Sequence, residues 1–262
     1  MTSTISIHDV QAAADRISGQ AVRTPAIESN ALNQQADTRI FIKAENLQRT
    51  GSFKFRGAFN RLVQLSEEEK KAGVVAWSSG NHAQGVAAAA QILDIPAAIV
   101  MPRDAPTVKL EKTRAYGAEI IAYDRYTQSR EEIAKALTEE RGATLVPSFE
   151  DEHIIAGQGT AGLEFSKQVE SQGTTLDKLL VCCGGGGLIA GMSTVFAAQS
   201  PKTDIYSVEP EDFNDHERSL VSGQRETNEP NARSFCDALL APSPGEMTFV
   251  INSKTLKGGV SV

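Results

Sequence analysis

The chain has 262 residues, of which 40% are hydrophobic and 23% charged, and its formal net charge is −7. This length and composition allow one large folded core or two medium ones. The acidic balance, without a basic stripe, argues against a nucleic-acid binder. No apolar run is long enough to cross a membrane, and the N-terminal sequence lacks the pattern of a signal peptide. We therefore expect a cytoplasmic protein that does not contact membranes.

The cysteines and histidines give no local sign of a disulfide framework or a zinc site. There are three cysteines, Cys182, Cys183 and Cys236, of which two are adjacent in an apolar segment. Reduced, buried thiols are the expected state. None of the four histidines has another histidine or cysteine at the spacing typical of metal ligands, which argues against zinc.

Short apolar runs alternate with amphipathic stretches along the chain, a pattern typical of crossover βα units. The apolar runs predict strands at Arg39–Lys43, Val74–Trp77, Ala97–Met101, Glu119–Tyr123, Thr144–Val146, Leu179–Cys182, Ile205–Val208 and Thr248–Ile251. The amphipathic stretches predict helices at Ile7–Ser18, Phe55–Leu65, Ala83–Leu93, Thr107–Tyr116, Gln128–Arg141, Gly159–Ser171, Leu188–Gln199 and His216–Ser222. Helices of this length between strands predict parallel sheets and an α/β fold.

The segment Ser52-Phe53-Lys54-Phe55-Arg56-Gly57-Ala58 places one lysine between two phenylalanines, before a predicted helix. An apolar setting disfavours the ammonium form and lowers the pKa of a lysine. A neutral amine of this kind can form Schiff bases near neutral pH. The alternative is a surface lysine whose aliphatic stem covers neighbouring aromatic rings.

A second motif, Ser78-Ser79-Gly80-Asn81-His82, connects the predicted strand Val74–Trp77 to an alanine-rich helix. Turns of this kind lie at the carboxyl edge of a parallel sheet, where ligands bind. The free N–H groups of the helix start favour an anion such as a carboxylate. Helix capping alone is the alternative role for the serines.

A third motif, four consecutive glycines at 184–187 followed by Leu188, comes after the strand Leu179–Cys182. Such a run costs backbone entropy, but it lets several N–H groups converge on a phosphate. Gly185, Gly187 and Ala190 also satisfy a dinucleotide pattern, with Glu209 ending the next strand. The dinucleotide alternative leaves the lysine segment and the Ser-Ser-Gly-Asn-His turn unexplained.

Together with Ile155-Ala156-Gly157-Gln158-Gly159-Thr160 and Glu209-Pro210, these motifs resemble fold-type II pyridoxal-phosphate enzymes, specifically the serine/threonine dehydratase and serine racemase family. The resemblance implies two open, twisted, mostly parallel sheets flanked by helices, as in the tryptophan synthase beta-like fold. It also implies a large cofactor-binding domain, residues 1–72 and 149–262, and a small mobile α/β domain, residues 73–148.

The resemblance assigns roles to individual residues. Lys54 would carry pyridoxal phosphate as a Schiff base with Phe53 against the ring, and Asn81 would bond the ring hydroxyl. The phosphate would be held by the backbone N–H groups of Gly184, Gly185, Gly186, Gly187 and Leu188. The substrate would lie among Ser78, Ser79, Gly80, Asn81 and His82.

The implied reaction is dehydration and deamination of a small β-hydroxy amino acid (threonine, serine or 3-hydroxyaspartate) to a 2-oxo acid and ammonia. Lys54 would act as the general base. Ser79 matches the position where racemases keep a second acid/base, so an amino-acid racemase is an alternative. A non-catalytic protein that binds a phosphate ligand or NAD is a third possibility.

The resemblance further implies a divalent cation, Mg²⁺, Mn²⁺ or Ca²⁺, held by the carboxylates of Glu209 and Asp215 and the carbonyl of Phe213. An acidic surface loop without an ion is the alternative. A homodimer is also implied. The family continues past Val262 and there supplies a contact to the pyridine nitrogen, so we expect this chain to have an incomplete cofactor pocket and weak or no activity. We also expect no C-terminal regulatory domain.

Overall fold

The structure is a computed structural model that describes residues 5–262. Its strands are β1 (Ala26–Glu28), β2 (Phe41–Lys43), β3 (Val74–Trp77), β4 (Ala97–Pro102), β5 (Glu119–Tyr123), β6 (Thr144–Leu145), β7 (Lys178–Cys182), β8 (Asp204–Glu209) and β9 (Gly258–Ser261). Its helices are α1 (Ile7–Arg16), α2 (Asn30–Ala36), α3 (Lys54–Leu62), α4 (Glu67–Ala72), α5 (Asn81–Leu93), α6 (Thr107–Ala115), α7 (Arg130–Arg141), α8 (Glu152–Glu170), α9 (Gly187–Gln199), α10 (Asp215–Ser222) and α11 (Glu246–Thr255). Short 3-10 turns cover Glu45–Leu47, Arg49–Gly51 and Glu211–Phe213.

Two parallel sheets organise the chain, as the alternation of strands and helices predicted. One has the strand order β5-β4-β3-β6 and the other the order β7-β8-β9, while β1 and β2 form a separate antiparallel pair. All pairings within the two larger sheets are parallel. The four-stranded sheet falls within residues 73–148, and the assignment of this unit as a small mobile domain stays a prediction.

The predicted strand Thr248–Ile251 is wrong, because these residues lie in α11. The first N–H groups of that helix, those of Met247 and Thr248, donate to the carboxylate of Glu150 at 3.2 and 3.5 Å. A carboxylate at a helix start stabilises the helix, and this tertiary contact overrides the β-branched composition of the segment.

The strand that completes the second sheet is β9, which pairs with β8 and was not predicted. Its glycines weaken any strand signal. A Cβ on Gly259 would lie 2.6 Å from Cβ of Glu217. The chain therefore needs glycine where β9 passes α10. Because glycine has a low strand propensity, the same residue weakens the prediction of a strand from the sequence.

Helix α8 begins at Glu152, well before the predicted start at Gly159. Its glycines lie where other helices cross it at backbone contact. A Cβ on Gly157 would lie 2.6 Å from Cα of Gly57 in α3, and a Cβ on Gly191 in α9 would lie 2.5 Å from the N of Gly159. These glycines allow the close contacts between helices and do not end α8, although they interrupt its hydrophobic pattern in the sequence. The elements β1, α2 and α4 were likewise not predicted.

The side chain of Arg56, on α3, is fully buried and holds that helix to its surroundings through two carboxylates. Its guanidinium forms paired hydrogen bonds with Glu45, both at 2.8 Å, and with Glu164, at 2.8 and 2.9 Å. Burial alone would lower the pKa of Arg56, but the two carboxylates raise it above its usual value. Lys43 donates to the same Glu164 at 2.6 Å. This network anchors the helix that begins at Lys54.

No helix among the described residues is long and apolar enough to cross a membrane.

We predict that Arg56→Met lowers the free energy of unfolding by about 3–5 kcal/mol, because it leaves two partly buried carboxylates without their shared cation. Urea denaturation followed by circular dichroism measures the change. The matched control is Arg39→Met, which breaks an ion pair with Glu28 whose side chains are 47% and 27% exposed. That change should cost far less stability, because solvent screens the charges of an exposed ion pair. Equal losses in the two variants would contradict the role of the Arg56 network.

Candidate active site

The three predicted motifs meet around the first turn of α3. The backbone of Lys54 passes so close to α5 that a Cβ on Gly85 would lie 3.1 Å from its carbonyl carbon. The Lys54 amine interacts electrostatically with His82, in the Ser-Ser-Gly-Asn-His turn, and with Cys182, just before the glycine run. The fold therefore brings together segments that are far apart in the sequence.

Lys54 has the environment of a reactive amine. Its Nζ donates to the carbonyl of Ser148 at 2.8 Å and lies 5.3 Å from the centroid of the Phe53 ring. No carboxylate among the described residues pairs with it. Although the residue as a whole is only partly buried, desolvation lowers the pKa of its amine to about 8. A substantial fraction of the amine is thus uncharged near neutral pH, as the sequence predicted.

The turn from Ser78 to His82 leaves the N–H groups at the start of α5 available. Gly80 is the N-cap, and no side chain caps this helix. The hydroxyl of Ser78 instead accepts a hydrogen bond from the N–H of Gly80 at 3.1 Å. Ser79 and Asn81 are exposed. An open helix start of this kind can bind a carboxylate, and capping alone does not explain the serines.

His82 is buried and its state is fixed by its surroundings. Its Nε2 lies 2.9 Å from the carbonyl of Val146, and burial lowers the pKa of the imidazole to about 3. The ring is therefore neutral, with the proton on Nε2 and donated to that carbonyl. Its other nitrogen, Nδ1, is buried without a hydrogen-bond partner. The side chain is therefore unsuited to the role of a cation that would pair with a carboxylate.

The glycine run is packed so tightly that side chains are excluded from it. A Cβ on Gly185 would lie 2.3 Å from the ring of Phe149, and one on Gly187 would lie 2.9 Å from Cβ of that residue. Gly186 adopts a left-handed conformation with φ of 93°. The carbonyl of Gly185 is turned back to accept from Thr248 Oγ1 at 2.7 Å. Within the described chain, the N–H groups of residues 184–186 have no acceptor, so they are available for an anion.

The residues of the predicted cation site are close together and buried. Glu209 accepts hydrogen bonds from the N–H groups of His216 and Glu217, both at 2.9 Å. Burial raises the pKa of Glu209 to about 7. One oxygen of Asp215 accepts from Asn228 at 2.6 Å, and the other has no partner. Phe213 is also buried, and its carbonyl as a ligand stays a prediction.

Several residues at the site were missed in the sequence because no motif marks them. Ser148 and Phe149 come from the turn after β6 and contact Lys54 and the glycine run. Lys109 lies with its Nζ 3.9 Å from the Cβ position of Gly80, and it forms an ion pair with Asp237. This pair links α6, beside the Ser-Ser-Gly-Asn-His turn, to the long connection before α11. Only the three-dimensional contacts could reveal these roles.

The residues present suit pyridoxal phosphate. The uncharged amine of Lys54 can react with the aldehyde, the ring of Phe53 lies beside that amine, and the N–H groups of the glycine run can hold the phosphate. The roles of Lys54, Phe53 and the glycine run toward the cofactor are predictions that these features support. Asn81 as the partner of the ring hydroxyl and Leu188 as a phosphate contact stay predictions.

Comparisons with known proteins agree with this fit. A family model described as "Pyridoxal-phosphate dependent enzyme" matches residues 17–262. The chain is 52% identical to an L-threo-3-hydroxyaspartate ammonia-lyase of Pseudomonas sp over 83% of this chain and 67% of the relative. It is 46% identical to a serine racemase of Schizosaccharomyces pombe over 82% of this chain and 65% of the relative. Among solved structures, a threonine deaminase of T.th. superposes with a TM-score of 0.93 at 44% identity, covering 98% of this chain and 82% of the other.

The chain thus spans about two thirds of the length of these two relatives. The superposition and the matching sheets place it among fold-type II structures, as the motifs predicted.

We predict that Lys54 reacts with a trace amine reagent such as acetic anhydride with a pH midpoint of about 8, because burial lowers the pKa of its amine. Below that pH the amine is protonated and unreactive, and above it the reactive fraction approaches completion. Labelling of the Lys54 peptide, followed by mass spectrometry across the pH series, gives the midpoint. A midpoint near the ordinary lysine value of 10.5 would contradict the prediction.

Proposed function

Because this chain belongs to the family of pyridoxal-phosphate dependent enzymes, we propose that it eliminates water from a small β-hydroxy amino acid and that one water then hydrolyses the dehydrated product. The net products are a 2-oxo acid and ammonia. The observation that carries the proposal is the desolvated amine of Lys54, with its pKa lowered to about 8, near an open helix start and a glycine run. The names of the relatives, an ammonia-lyase and a serine racemase, favour this class of amino-acid chemistry. The lysine and the Ser-Ser-Gly-Asn-His turn favour pyridoxal phosphate over a dinucleotide.

The cofactor's chemistry, when it is bound, is to acidify the hydrogen on the α-carbon of an amino acid by taking up electron density. Lys54 supplies both the covalent attachment and the base. Its Nζ carries a lone pair because the amine is desolvated, and it accepts the α-proton. The Ser148 carbonyl, 2.8 Å from Nζ, orients the amine. It also stabilises the ammonium that forms once the proton has been accepted.

The substrate carboxylate is proposed to bind at the start of α5, where N–H groups lack a capping side chain. The negative charge of the carboxylate would complement the positive end of the helix dipole at this point. Ser78, Ser79, Gly80, Asn81 and His82 surround that position in the proposal. His82 contributes through its backbone N–H, since its neutral ring already donates to Val146. Loss of the β-hydroxyl follows removal of the α-proton, and water then releases ammonia and the 2-oxo acid.

A second candidate function is amino-acid racemisation. The hydroxyl of Ser79 is exposed and bonds no other described group. A free hydroxyl at this position can return a proton to the face opposite Lys54, which would invert the α-carbon. The named serine racemase relative favours keeping this candidate. Product chirality separates the two functions.

Further parts of the proposal concern the assembly. A divalent cation is proposed at Glu209, Asp215 and the Phe213 carbonyl.

Residues 73–148 are proposed to move as a small domain over the site, with the Lys109–Asp237 pair at the moving boundary. A homodimer and a cytoplasmic location are proposed on the family resemblance.

The test is a panel of serine, threonine and 3-hydroxyaspartate, assayed with pyridoxal phosphate for 2-oxo acid and for the opposite enantiomer. The assay uses the 262-residue chain and a version extended by the segment expected past Val262. We expect 2-oxo acid from at least one substrate and no turnover in the same protein carrying Lys54→Ala. The matched control, Lys112→Ala on the exposed face of α6, should keep full activity.

Enantiomer inversion without 2-oxo acid would establish the racemase candidate instead. Equal turnover by the Lys54→Ala and unmodified proteins would contradict both candidates.

A further inference from the structure

We propose that Lys109 is a further substrate-binding residue, whose ammonium holds the α-carboxylate of the amino acid at the start of α5 once that carboxylate has displaced Asp237. The inference rests on the proposed function, because it concerns the same carboxylate site. It adds a residue that lies outside the Ser-Ser-Gly-Asn-His turn, and it assigns Asp237 the role of an internal competitor for the substrate.

The space above Gly80 is open and is bordered by one ammonium group. Apart from Gly80 and its two neighbours in the chain, the only heavy atom of the described residues within 4 Å of the Cβ position of Gly80 is Lys109 Nζ, at 3.9 Å. Gly80 is the N-cap of α5, and no side chain caps that helix. A carboxylate in this space can accept from the N–H groups of the helix start with one oxygen and from the ammonium with the other.

Helix α6 holds Lys109 beside α5. Leu110, the next residue of α6, packs against the apolar cluster that contains Ala83 and Val86 of α5. The carbonyl of Lys109 accepts a hydrogen bond from Thr113 Oγ1 at 2.9 Å, and Thr113 is fully buried. The side chain of Lys109 is 29% exposed. The backbone of this lysine is therefore fixed next to α5, while its amine stays accessible to a ligand.

The carboxylate that now pairs with Lys109 comes from a segment that also contacts the glycine run. Asp237 pairs with Lys109 Nζ from the long connection between α10 and α11. A Cβ on Gly184 would lie 3.4 Å from Cα of Leu239 and 3.5 Å from the carbonyl oxygen of Ala238. The connection therefore passes from α6 to the proposed phosphate site. Asp237 thus places a carboxylate beside the position proposed for the carboxylate of the substrate.

Asp237 can be replaced at the ammonium with little loss of stability. Its side chain is 65% exposed, and among the described residues its carboxylate has no other side-chain partner. An exposed ion pair contributes little net stability, because water solvates both charges when they separate. The substrate carboxylate would gain the helix N–H groups as additional donors. The exchange therefore favours the substrate, and Asp237 holds the ammonium in place while the site is empty.

This contact would let the site select amino acids over simple amines. Reaction with the cofactor requires only the amine of the substrate. The carboxylate is the group that distinguishes an amino acid from an alkylamine, and Lys109 supplies the charged part of its recognition.

The test compares alanine with ethylamine, which differ only in the α-carboxylate, as ligands of the pyridoxal-phosphate-loaded protein. Alanine lacks a β-hydroxyl, so its binding does not depend on whether the chain dehydrates serine or threonine. The absorbance change of the bound cofactor gives each Kd. We expect Lys109→Gln to weaken alanine binding about tenfold or more, because a charge-assisted hydrogen bond is lost, and to leave ethylamine binding unchanged. The matched control, Lys112→Gln on the exposed face of α6, should change neither Kd.

Asp237→Asn should strengthen alanine binding severalfold, because the competing carboxylate is removed, and the gain should vanish when Lys109→Gln is also present. Equal weakening of alanine and ethylamine binding by Lys109→Gln would indicate a structural role and overturn the proposal. Unchanged alanine binding in that variant, or weaker alanine binding in Asp237→Asn, would overturn it as well.

A second measurement needs no cofactor, so it decides the proposal even if the chain takes up no pyridoxal phosphate. The lysines are converted to isotope-labelled dimethyl-lysines, which keep their charge, and the NMR signal of Lys109 is assigned by its loss in Lys109→Arg. Acetate should shift that signal at concentrations that leave the Lys112 signal unchanged, and Asp237→Asn should lower the acetate concentration required. Equal shifts of the two signals, or no shift of the Lys109 signal, would overturn the proposal.

Discussion

The rest of the structure depends on the desolvation of one amine. Lys54 stands at the first turn of α3 with a carbonyl as its hydrogen-bond partner and, among the described residues, no carboxylate beside it. Desolvation lowers the pKa of the Lys54 amine to about 8. Burial also lowers the pKa of Lys43, but its ion pair with Glu164 offsets part of that effect. The contrast between the two lysines shows what the site requires. A paired lysine stays a cation, and an unpaired buried lysine becomes a nucleophile and a base.

Holding that amine in place requires rigid surroundings, and glycines provide the close contacts. Where α3 crosses α8 and α8 crosses α9, backbone meets backbone at Gly57, Gly157, Gly159 and Gly191. The Arg56 network then holds α3 from its other side through Glu45 and Glu164. This framework brings the first turn of α5 and the end of β7, just before the glycine run, near the lysine.

The sequence was sufficient for features whose chemistry is local. Alternating apolar and amphipathic runs predicted the parallel strands β3, β4, β5, β7 and β8. The two phenylalanines beside Lys54 and the run of four glycines marked both segments in the sequence. The sequence was insufficient where tertiary contacts determine the secondary structure or bring distant residues together. Thr248–Ile251 has the composition of a strand but is helical because Glu150 accepts its first N–H groups. The Lys109–Asp237 pair depends on the fold alone, since the two residues have no characteristic spacing in the chain.

The most direct test of the central claim is to identify the amine that carries the cofactor. The protein is incubated with pyridoxal phosphate, reduced with borohydride and digested, and the modified peptide is sequenced by mass spectrometry. The account predicts a pyridoxyl phosphate group on Lys54, formed at a pH near 8 in stoichiometric yield and lost in Lys54→Ala. Modification spread over exposed lysines, or concentrated on Lys43, with Lys54 unmodified, would contradict it.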